Sequence, residues 1–408
     1  MKPPILLLSY FYPPDVQSAA ARPHRWAKYL ARLGHPVHVL AAGHGQVAPT
    51  VEGNVHRLRG GAIRGMPRDF ATLLERAFRQ SLFVHDSGGT WSGRAACYAR
   101  RWMQGPVRPV LLSTGPPMTT HAAAWWIQRR YGVRWLADFQ DPLVGNPFRP
   151  GRRAALFDPW LERAFLRRAD VIFANTDTVA ELWQRRYPRW AAKIQVLWNN
   201  FDPEERLAPQ PLPPRDHKVL AHVGAIYGAR DPELLLAAVR RLLERGELAP
   251  GQLRIRFVGM LEEGYPTPAP WRELAGRGML EVGAPVPREQ AQRIMAESDY
   301  LLLLDVTRGQ AGLQVPAKLF EYVQLGRPVV ACTTRGSPVD RILERSGVAY
   351  TGLYPDAPAE ETDQRLLACL RAPGAARAPS EWFEASFDAR RQAEHLSELA
   401  ERLGTSAC

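Results

Sequence analysis

The sequence predicts an α/β protein built from two doubly wound domains, and three observations predict it. Short, almost wholly apolar runs alternate with amphipathic stretches from end to end. The 408 residues exceed what a single hydrophobic core supports. An aperiodic segment rich in proline and charge, FDPEERLAPQPLPPRDH, divides the chain near its middle. The resulting organisation is a first domain over 1–201, a linker over 202–217, a second domain over 218–378 and a terminal helix over 379–408.

In the first half, strands are expected near 4–11, 37–41, 55–58, 110–113, 133–138, 171–175 and 194–198. Between the first two, Trp26, Tyr29, Leu30 and Leu33 recur at helical spacing, and Gly34 ends that helix. In the second half, strands are expected near 218–223, 253–258, 280–283, 299–305, 328–332 and 347–350. Runs such as YLLLLDV are apolar throughout, as strands covered on both faces must be, so the sheets are parallel with helices on both sides. VPAKLFEYVQLGRPVVA reads as a helix opened by Pro316 and followed by a buried strand. After an Ala/Pro/Gly-rich break at 372–379, SEWFEASFDARRQAEHLSELAERLG is one long helical pattern.

A hydrophobic content of 46% with 23% charged residues excludes a disordered chain. No run of about 18 apolar residues is present to span a bilayer. The opening MKPPILLLSYFYPPD is too short for a signal-peptide core and lacks a cleavage pattern. Cys97, Cys332, Cys369 and Cys408 are scattered without ligand or redox spacing, so reduced thiols in a cytoplasmic protein are expected.

The net charge of +12 calls for nucleic acid, an anionic membrane surface or phosphorylated substrates. Nucleic acid ranks last, because no recognition module or interleaved aromatic stripe is visible. LLERAFRQSLFV places Leu73, Ala77 and Phe78 beside Arg76 and Arg79, and SGRAACYARRWMQGPVR adds Arg94, Arg100, Arg101 and Trp102. That pattern fits a peripheral helix on anionic lipid; the alternative is a solvated arginine face over the core.

Ligands of doubly wound sheets bind outside the carboxyl ends of the strands, which selects the candidate residues. DFQDP puts Asp138 at a strand end, either in a site or capping the next loop, and Asp141 in the loop itself. His121, on the helix after STGPP, is either a buried helix residue or a site residue. YPPDVQSAAAR, with Tyr12, Pro13, Gln17 and Ser18, follows the first strand, and its small residues leave room for a ligand. In GAIYGARDP, Gly224 follows the first strand of the second half and Gly228 permits close backbone approach. Lys318 and Glu321 share a helix face, and taken alone they read as a solvated surface pair. No Asp-x-Asp triplet or His/Cys cluster calls for a metal, and no P-loop or nucleophile elbow is visible.

Taken in order, SYFYPPDVQSAAARPHRWAKYLARLGHPVHVL, STGPP, LADFQDP, ADVIFANTDTVAELW, HVGAIYGARDPELLLAAV and VPAKLFEYVQLGRPVVA resemble the family-four glycosyltransferases of the GT-B fold over nearly the whole chain. The resemblance implies two Rossmann-like domains facing across a cleft, with the terminal helix crossing back to the first domain. It implies a retaining transfer of sugar from a nucleotide diphosphate donor to an acceptor hydroxyl, in polysaccharide or glycolipid assembly, without a cofactor. The alternatives are a nucleotide-sugar epimerase of the same fold and a degenerate, nucleotide-sugar-binding scaffold.

The chemistry of such a donor then assigns roles. The helix start after Gly312, Leu313, Gln314 and Val315 favours phosphate oxygens, Lys318 adds a point charge, and Glu321 accepts from both ribose hydroxyls. Arg230, with Gly224, Tyr227 and Gly228, stands where relatives place a basic residue on the diphosphate; its alternative is a turn cap paired with Asp231. Asp141 is expected near the acceptor or reacting sugar, and the loop of Tyr12 where relatives bind acceptor or donor phosphate. Three positions depart from the family pattern: Leu313 stands where a second glutamate is common, and Gln140 and Leu143 replace Arg and Trp.

Overall fold

The computed structural model describes residues 1–15, 17–43, 48–60, 89–146, 152–227, 230–265, 267–307, 312–372 and 374–405. Leu73, Arg76, Ala77, Phe78, Arg79 and Gly228 lie outside the described residues.

Ile5–Ser9 forms β1, buried at every position because both of its faces are covered. The other strands of its sheet are β2 (Val37–Gly43), β3 (Thr50–Glu52), β4 (Val55–Arg59), β5 (Val110–Gly115), β6 (Trp135–Phe139), β7 (Val171–Ala174) and β8 (Ile194–Val196). Their order is β3-β4-β2-β1-β5-β6-β7-β8, parallel except for the β3–β4 hairpin. Strand β3 carries no apolar run, and all three of its residues are exposed, so periodicity gave no sign of it. Helices α1 (Ser18–Arg32), α2 (Gly89–Met103), α3 (Thr119–Tyr131), α4 (Arg152–Arg168) and α5 (Asp177–Arg186) connect the strands.

The second sheet is wholly parallel: β9 (Lys218–Val223), β10 (Leu253–Val258), β11 (Leu280–Gly283), β12 (Tyr300–Leu304), β13 (Val329–Cys332) and β14 (Tyr350–Leu353), in the order β11-β10-β9-β12-β13-β14. Its helices are α6 (Glu233–Glu244), α7 (Ala269–Gly276), α8 (Arg288–Ala296), α9 (Lys318–Leu325), α10 (Pro338–Arg345) and α11 (Ala359–Arg371). Strand β14 starts at Tyr350, later than expected, because Gly347 takes a left-handed turn conformation with φ 86°. The α9 helix opens at Lys318 rather than Pro316. Its first bonds are tight i to i+3 turns, Leu319 N–H to the Pro316 carbonyl at 3.0 Å and Phe320 N–H to that of Ala317 at 3.2 Å.

The terminal segment is two helices, α12 (Glu381–Phe387) and α13 (Ala389–Thr405), rather than one. Phe201 N–H bonds the Phe387 carbonyl at 3.0 Å, and Ala389 N–H bonds the Phe201 carbonyl at 3.1 Å, pinning Asp388 in a bridge. The Asp388 carboxylate then caps α13 at the Arg390 N–H, 2.7 Å away. No Gly or Pro marks this break, since it is made by distant hydrogen bonds. Contacts divide the chain into Met1–Asp202 with Phe387–Cys408, and Pro203–Ser386.

The terminal helix therefore returns to the first unit. Ala389, Ala393, Leu396 and Leu399 of α13 join the core built on Trp26, Tyr29 and Leu30 of α1. Trp26 donates its indole N–H to Gln392 at 3.1 Å, and the Tyr29 hydroxyl reaches Asp202 at 2.6 Å. The core of the second unit gathers β9, β10 and β12 with Leu235, Leu236 and Val239 of α6. Each sheet has one switch point, β1/β5 in the first unit and β9/β12 in the second, where crossovers leave in opposite directions and a crevice opens at the carboxyl ends.

Candidate functional site

At the β9/β12 switch point two cationic side chains, Lys318 and Arg230, converge around a buried histidine. His222, the penultimate residue of β9, is fully buried, and its Nδ1–H donates to the Leu302 carbonyl at 2.9 Å. That bond leaves Nε2 as an acceptor, and the Lys318 ammonium donates to it at 3.1 Å. Burial first, and the Lys318 charge second, push the His222 pKa down to about 3, so the imidazole is neutral. Burial and the neighbouring Arg230 charge push Lys318 down to about 7, with Glu321 opposing. Lys318 is thus no solvated surface group, and the surface-pair reading of Lys318 and Glu321 is corrected.

Arg230 is 9% exposed, and its Nε is buried without a hydrogen-bond partner among the described residues. Its guanidinium lies over the Tyr227 ring at 5.2 Å. It does not pair with Asp231, whose carboxylate caps the Glu233 N–H at 2.8 Å. Asp305, just past β12, is 2% exposed; burial lifts its pKa to about 6, opposed by a 2.7 Å bond from Thr333, the Val306 N–H and the Arg230 charge. Asp305 thus acts on Arg230, and Glu321 on Lys318.

The backbone makes room for this cluster. Gly224 has φ 134°, and a Cβ there would collide with the Lys318 ammonium. Gly259, with φ 147°, abuts the Gly224 carbonyl so closely that a Cβ would overlap it. The Tyr322 hydroxyl accepts the Val223 N–H at 3.1 Å and ties α9 under the end of β9. In the loop before α9, Gly312 takes φ 81°, while Leu313 and Val315 are 5% and 6% exposed. Their side chains are packed inward, so this loop offers backbone. The first turn of α9 has no side-chain cap, and Glu321 stands half-buried within it.

In the first unit the predicted residues separate into two layers. Gln17 and Ser18 are exposed at the N-terminus of α1, and Asp141 is half-buried in the loop after β6. Tyr12 is 6% exposed beside His24, with its ring at 5.5 Å and its hydroxyl at 3.3 Å from Nδ1; burial pushes its pKa up to about 12. The Pro13 carbonyl accepts from Arg57.

Beneath them Asp138 is wholly buried, bonded to Arg22 Nη2 at 2.6 Å and to the Thr114 hydroxyl at 2.7 Å. Arg22 also holds Asn175 at 2.8 Å and the Leu197 carbonyl at 2.6 Å, joining α1 to three strand ends. Asp138 is therefore neither a loop cap nor open to a ligand here. His121 is likewise fully buried, stacked on Phe139 with centroids 4.0 Å apart; its Nδ1 meets the Ser113 hydroxyl at 2.9 Å, and burial lowers its pKa to about 3. Both residues underpin the edge where Asp141 sits. Asp141's loop is held by Glu162, whose buried carboxylate accepts from the Leu143 and Val144 N–H groups at 3.2 and 3.0 Å. Gln140 donates to Thr114 at 2.9 Å.

Sequence reasoning missed His222, Asp305, Tyr322, Arg22 and Glu162. Asp305 had a signal, an acid closing an apolar strand at its carboxyl end. Arg22 and Glu162 looked like ordinary helix-surface charges, and a lone strand histidine carries no signal. On α2, Arg94 bonds the Arg59 carbonyl at 2.9 Å, and Trp102 packs on His38 and His56 at 5.1 and 4.9 Å, so its ring is engaged within the unit.

Comparison with known proteins accords with this arrangement. Residues 19–200 match the sequence profile of the glycosyl transferase 4-like domain. Among solved structures, the chain is similar to the catalytic domain of starch synthase IV from Arabidopsis thaliana bound to ADP and acarbose (TM-score 0.64, 11% identity, 99% of this chain and 100% of that one). It is similar to HepE from Anabaena in complex with UDP and glucose (0.59, 15%, 99% and 99%). It is also similar to the lipopolysaccharide outer core galactosyltransferase WaaB in its apo form (0.61, 12%, 97% and 99%). At these identities the likeness establishes the fold, GT-B, as the sequence resemblance implied. No curated protein matches the sequence at a significant level.

Proposed function

We propose, from the match of residues 19–200 to the glycosyl transferase 4-like domain, that the protein transfers a sugar from a nucleotide diphosphate donor to an acceptor hydroxyl with retention of configuration. One observation carries the reading: Arg230, whose Nε is buried without a hydrogen-bond partner among the described residues, and Lys318, which donates to His222, converge at the β9/β12 switch point. A diphosphate gives both cations an anionic partner, and the guanidinium suits it because it bonds phosphate through two parallel N–H groups. Glu321 accepts the ribose hydroxyls, and the backbone of Gly312 to Val315 faces the donor sugar. Asp141, with the exposed Gln17 and Ser18, borders the acceptor.

In the reaction, the bond from the anomeric carbon to the diphosphate oxygen breaks and the acceptor oxygen bonds to that carbon on the same face. The acceptor proton passes to the departing phosphate oxygen. Arg230 and Lys318 stabilise the charge that develops on the leaving group. The likeness to HepE in complex with UDP and glucose, and to the lipopolysaccharide outer core galactosyltransferase WaaB, supports a glycan or glycolipid acceptor. The family match gives no support to the epimerase or scaffold alternatives.

A panel of nucleotide sugars read by thermal unfolding tests the proposal. A true donor at a hundred times its Kd stabilises by about 2.7 kcal/mol. A panel without one stabilising member would sink the reading. Because the cationic pair takes the place of a metal at the diphosphate, transfer should continue at full rate in excess EDTA. Loss of rate on chelation, restored by magnesium, would contradict that.

Lys318 also sets a pH dependence. A bound diphosphate favours its charged form, and below its pKa of about 7 that form is already present. Above pH 7 binding must take up a proton, so Kd should rise by up to about tenfold per pH unit between pH 7 and 9. Calorimetry in buffers of different ionisation enthalpy reads the uptake directly; a flat profile would show Lys318 lying outside the site.

A further inference from the structure

Among the described residues of the first unit, helices α3 and α4 carry large exposed apolar side chains. The two helices pack together, with His121 of α3 and Phe165 of α4 6.1 Å apart between ring centroids. Away from that contact, Trp126, Leu156 and Trp160 are 57%, 71% and 62% exposed. On α4, Leu156, Trp160, Arg163 and Arg167 fall at i, i+4, i+7 and i+11, one stripe along the helix, and all four are exposed. The acids of α4 are absent from this stripe: Asp158 and Glu162 are 3% and 0% exposed, Glu162 being committed to the Leu143 and Val144 amides, Arg186 and Tyr187. On α3, Arg129 and Arg130 are exposed beside Trp126. Arg129 lies over Trp125 at 5.6 Å, and Arg163 over Trp190 at 5.9 Å.

We propose that this α3/α4 face docks on an anionic lipid surface. Two indoles and an aliphatic side chain project from a rim of arginines: the indoles suit the level of the headgroups, Leu156 the acyl boundary, and the guanidiniums the lipid phosphates. A second copy of the chain is a poorer occupant, because an isologous contact would set these arginines against their own mates. Nucleic acid is also poorer, because a phosphate backbone gives no return for burying Leu156. The proposal moves lipid contact away from Trp102, whose ring packs on His38 and His56. It does not depend on the donor site. A sugar acceptor carried on a lipid would then be met where it resides.

The test is sedimentation of the full chain with phosphatidylcholine vesicles, with and without phosphatidylglycerol. The wild type should partition onto the anionic vesicles and stay in solution with the neutral ones. Arg163→Glu with Arg167→Glu should weaken partitioning by roughly thirtyfold or more, and Leu156→Ser with Trp160→Ser should weaken it comparably. Both double variants should keep the wild-type melting temperature and nucleoside diphosphate affinity, because all four side chains are exposed and belong to the first unit, whereas the β9/β12 crevice belongs to the second. As a readout needing no variant, brominated lipid should quench the tryptophan emission of the wild type. Equal partitioning onto both vesicle types, undiminished binding by both double variants, or absence of quenching would overturn the proposal. So would capture of an oligonucleotide, or a dimer abolished by Leu156→Ser with Trp160→Ser, without vesicle binding.

Discussion

Arg22→Ala should destabilise the first unit by about 3–5 kcal/mol, a large effect for a single polar substitution. Arg22 is 1% exposed and Asp138 0%, and their 2.6 Å ion pair is completed by Asn175, Thr114 and the Leu197 carbonyl. Removing the guanidinium leaves a buried carboxylate whose other bond, from Thr114, is too weak to hold its charge. Burial then drives the Asp138 pKa higher, and the group takes up a proton on folding. The cation–π contact of Arg22 over Trp26, at 4.6 Å, is lost as well.

Replacing both partners at once, Arg22→Met with Asp138→Leu, should cost less than either single change, because no charge is then stranded. Urea unfolding followed by tryptophan fluorescence checks this. The transition of the first unit should move to lower urea while that of the second stays in place. A shift of the first transition below about 1 kcal/mol would show that the pair is hydrated, as surface pairs are.

In the second unit, Arg230→Ala and Lys318→Ala should each weaken nucleoside diphosphate binding about ten- to a hundredfold, the equivalent of about 1.5–3 kcal/mol for hydrogen bonds to a charged group. Plain nucleoside, which lacks the diphosphate, should lose much less. The two changes should not simply add. Arg230 lowers the Lys318 pKa, so removing it leaves Lys318 more fully charged near neutral pH and a better diphosphate ligand. Glu321→Ala should weaken diphosphate and nucleoside alike, since both carry the ribose, and Glu321→Gln should be milder because the amide oxygen still accepts. Neither change should touch the fold, as Glu321 is half-buried and on the first turn of α9.

The elements legible in the sequence are those whose signal is local. The apolar runs at Ile5–Ser9 and Tyr300–Leu304 can only be strands covered on both faces, and both are buried at every position. The alternation of strand and helix gave the two parallel sheets, and with them the edges where the site lies. Distant contacts were not legible. The break at Asp388 is imposed by Phe201, far away in sequence, and β3 exists because it pairs with β4.

The site shows the same division. Glycines beside a strand end and a basic residue behind a proline announced Gly224 and Lys318. What makes Lys318 unusual is His222, which reaches it only after the sheet has formed. Asp138 and His121 sat correctly at a carboxyl edge, but edge position does not tell a side chain facing solvent from one turned inward. The partners of Asp138 lie on helix α1 and strand β5, and those of His121 on β5 and β6.

Calorimetric titration decides whether the β9/β12 crevice holds the nucleotide diphosphate. Wild type, Arg230→Ala and Glu321→Ala would each be titrated with UDP, ADP and GDP and with the matching nucleosides. Wild type should bind at least one diphosphate, Arg230→Ala should lose about ten- to a hundredfold for it but little for its nucleoside, and Glu321→Ala should lose a similar factor for both. An unchanged diphosphate affinity in both variants would contradict the account and remove the nucleotide from this crevice.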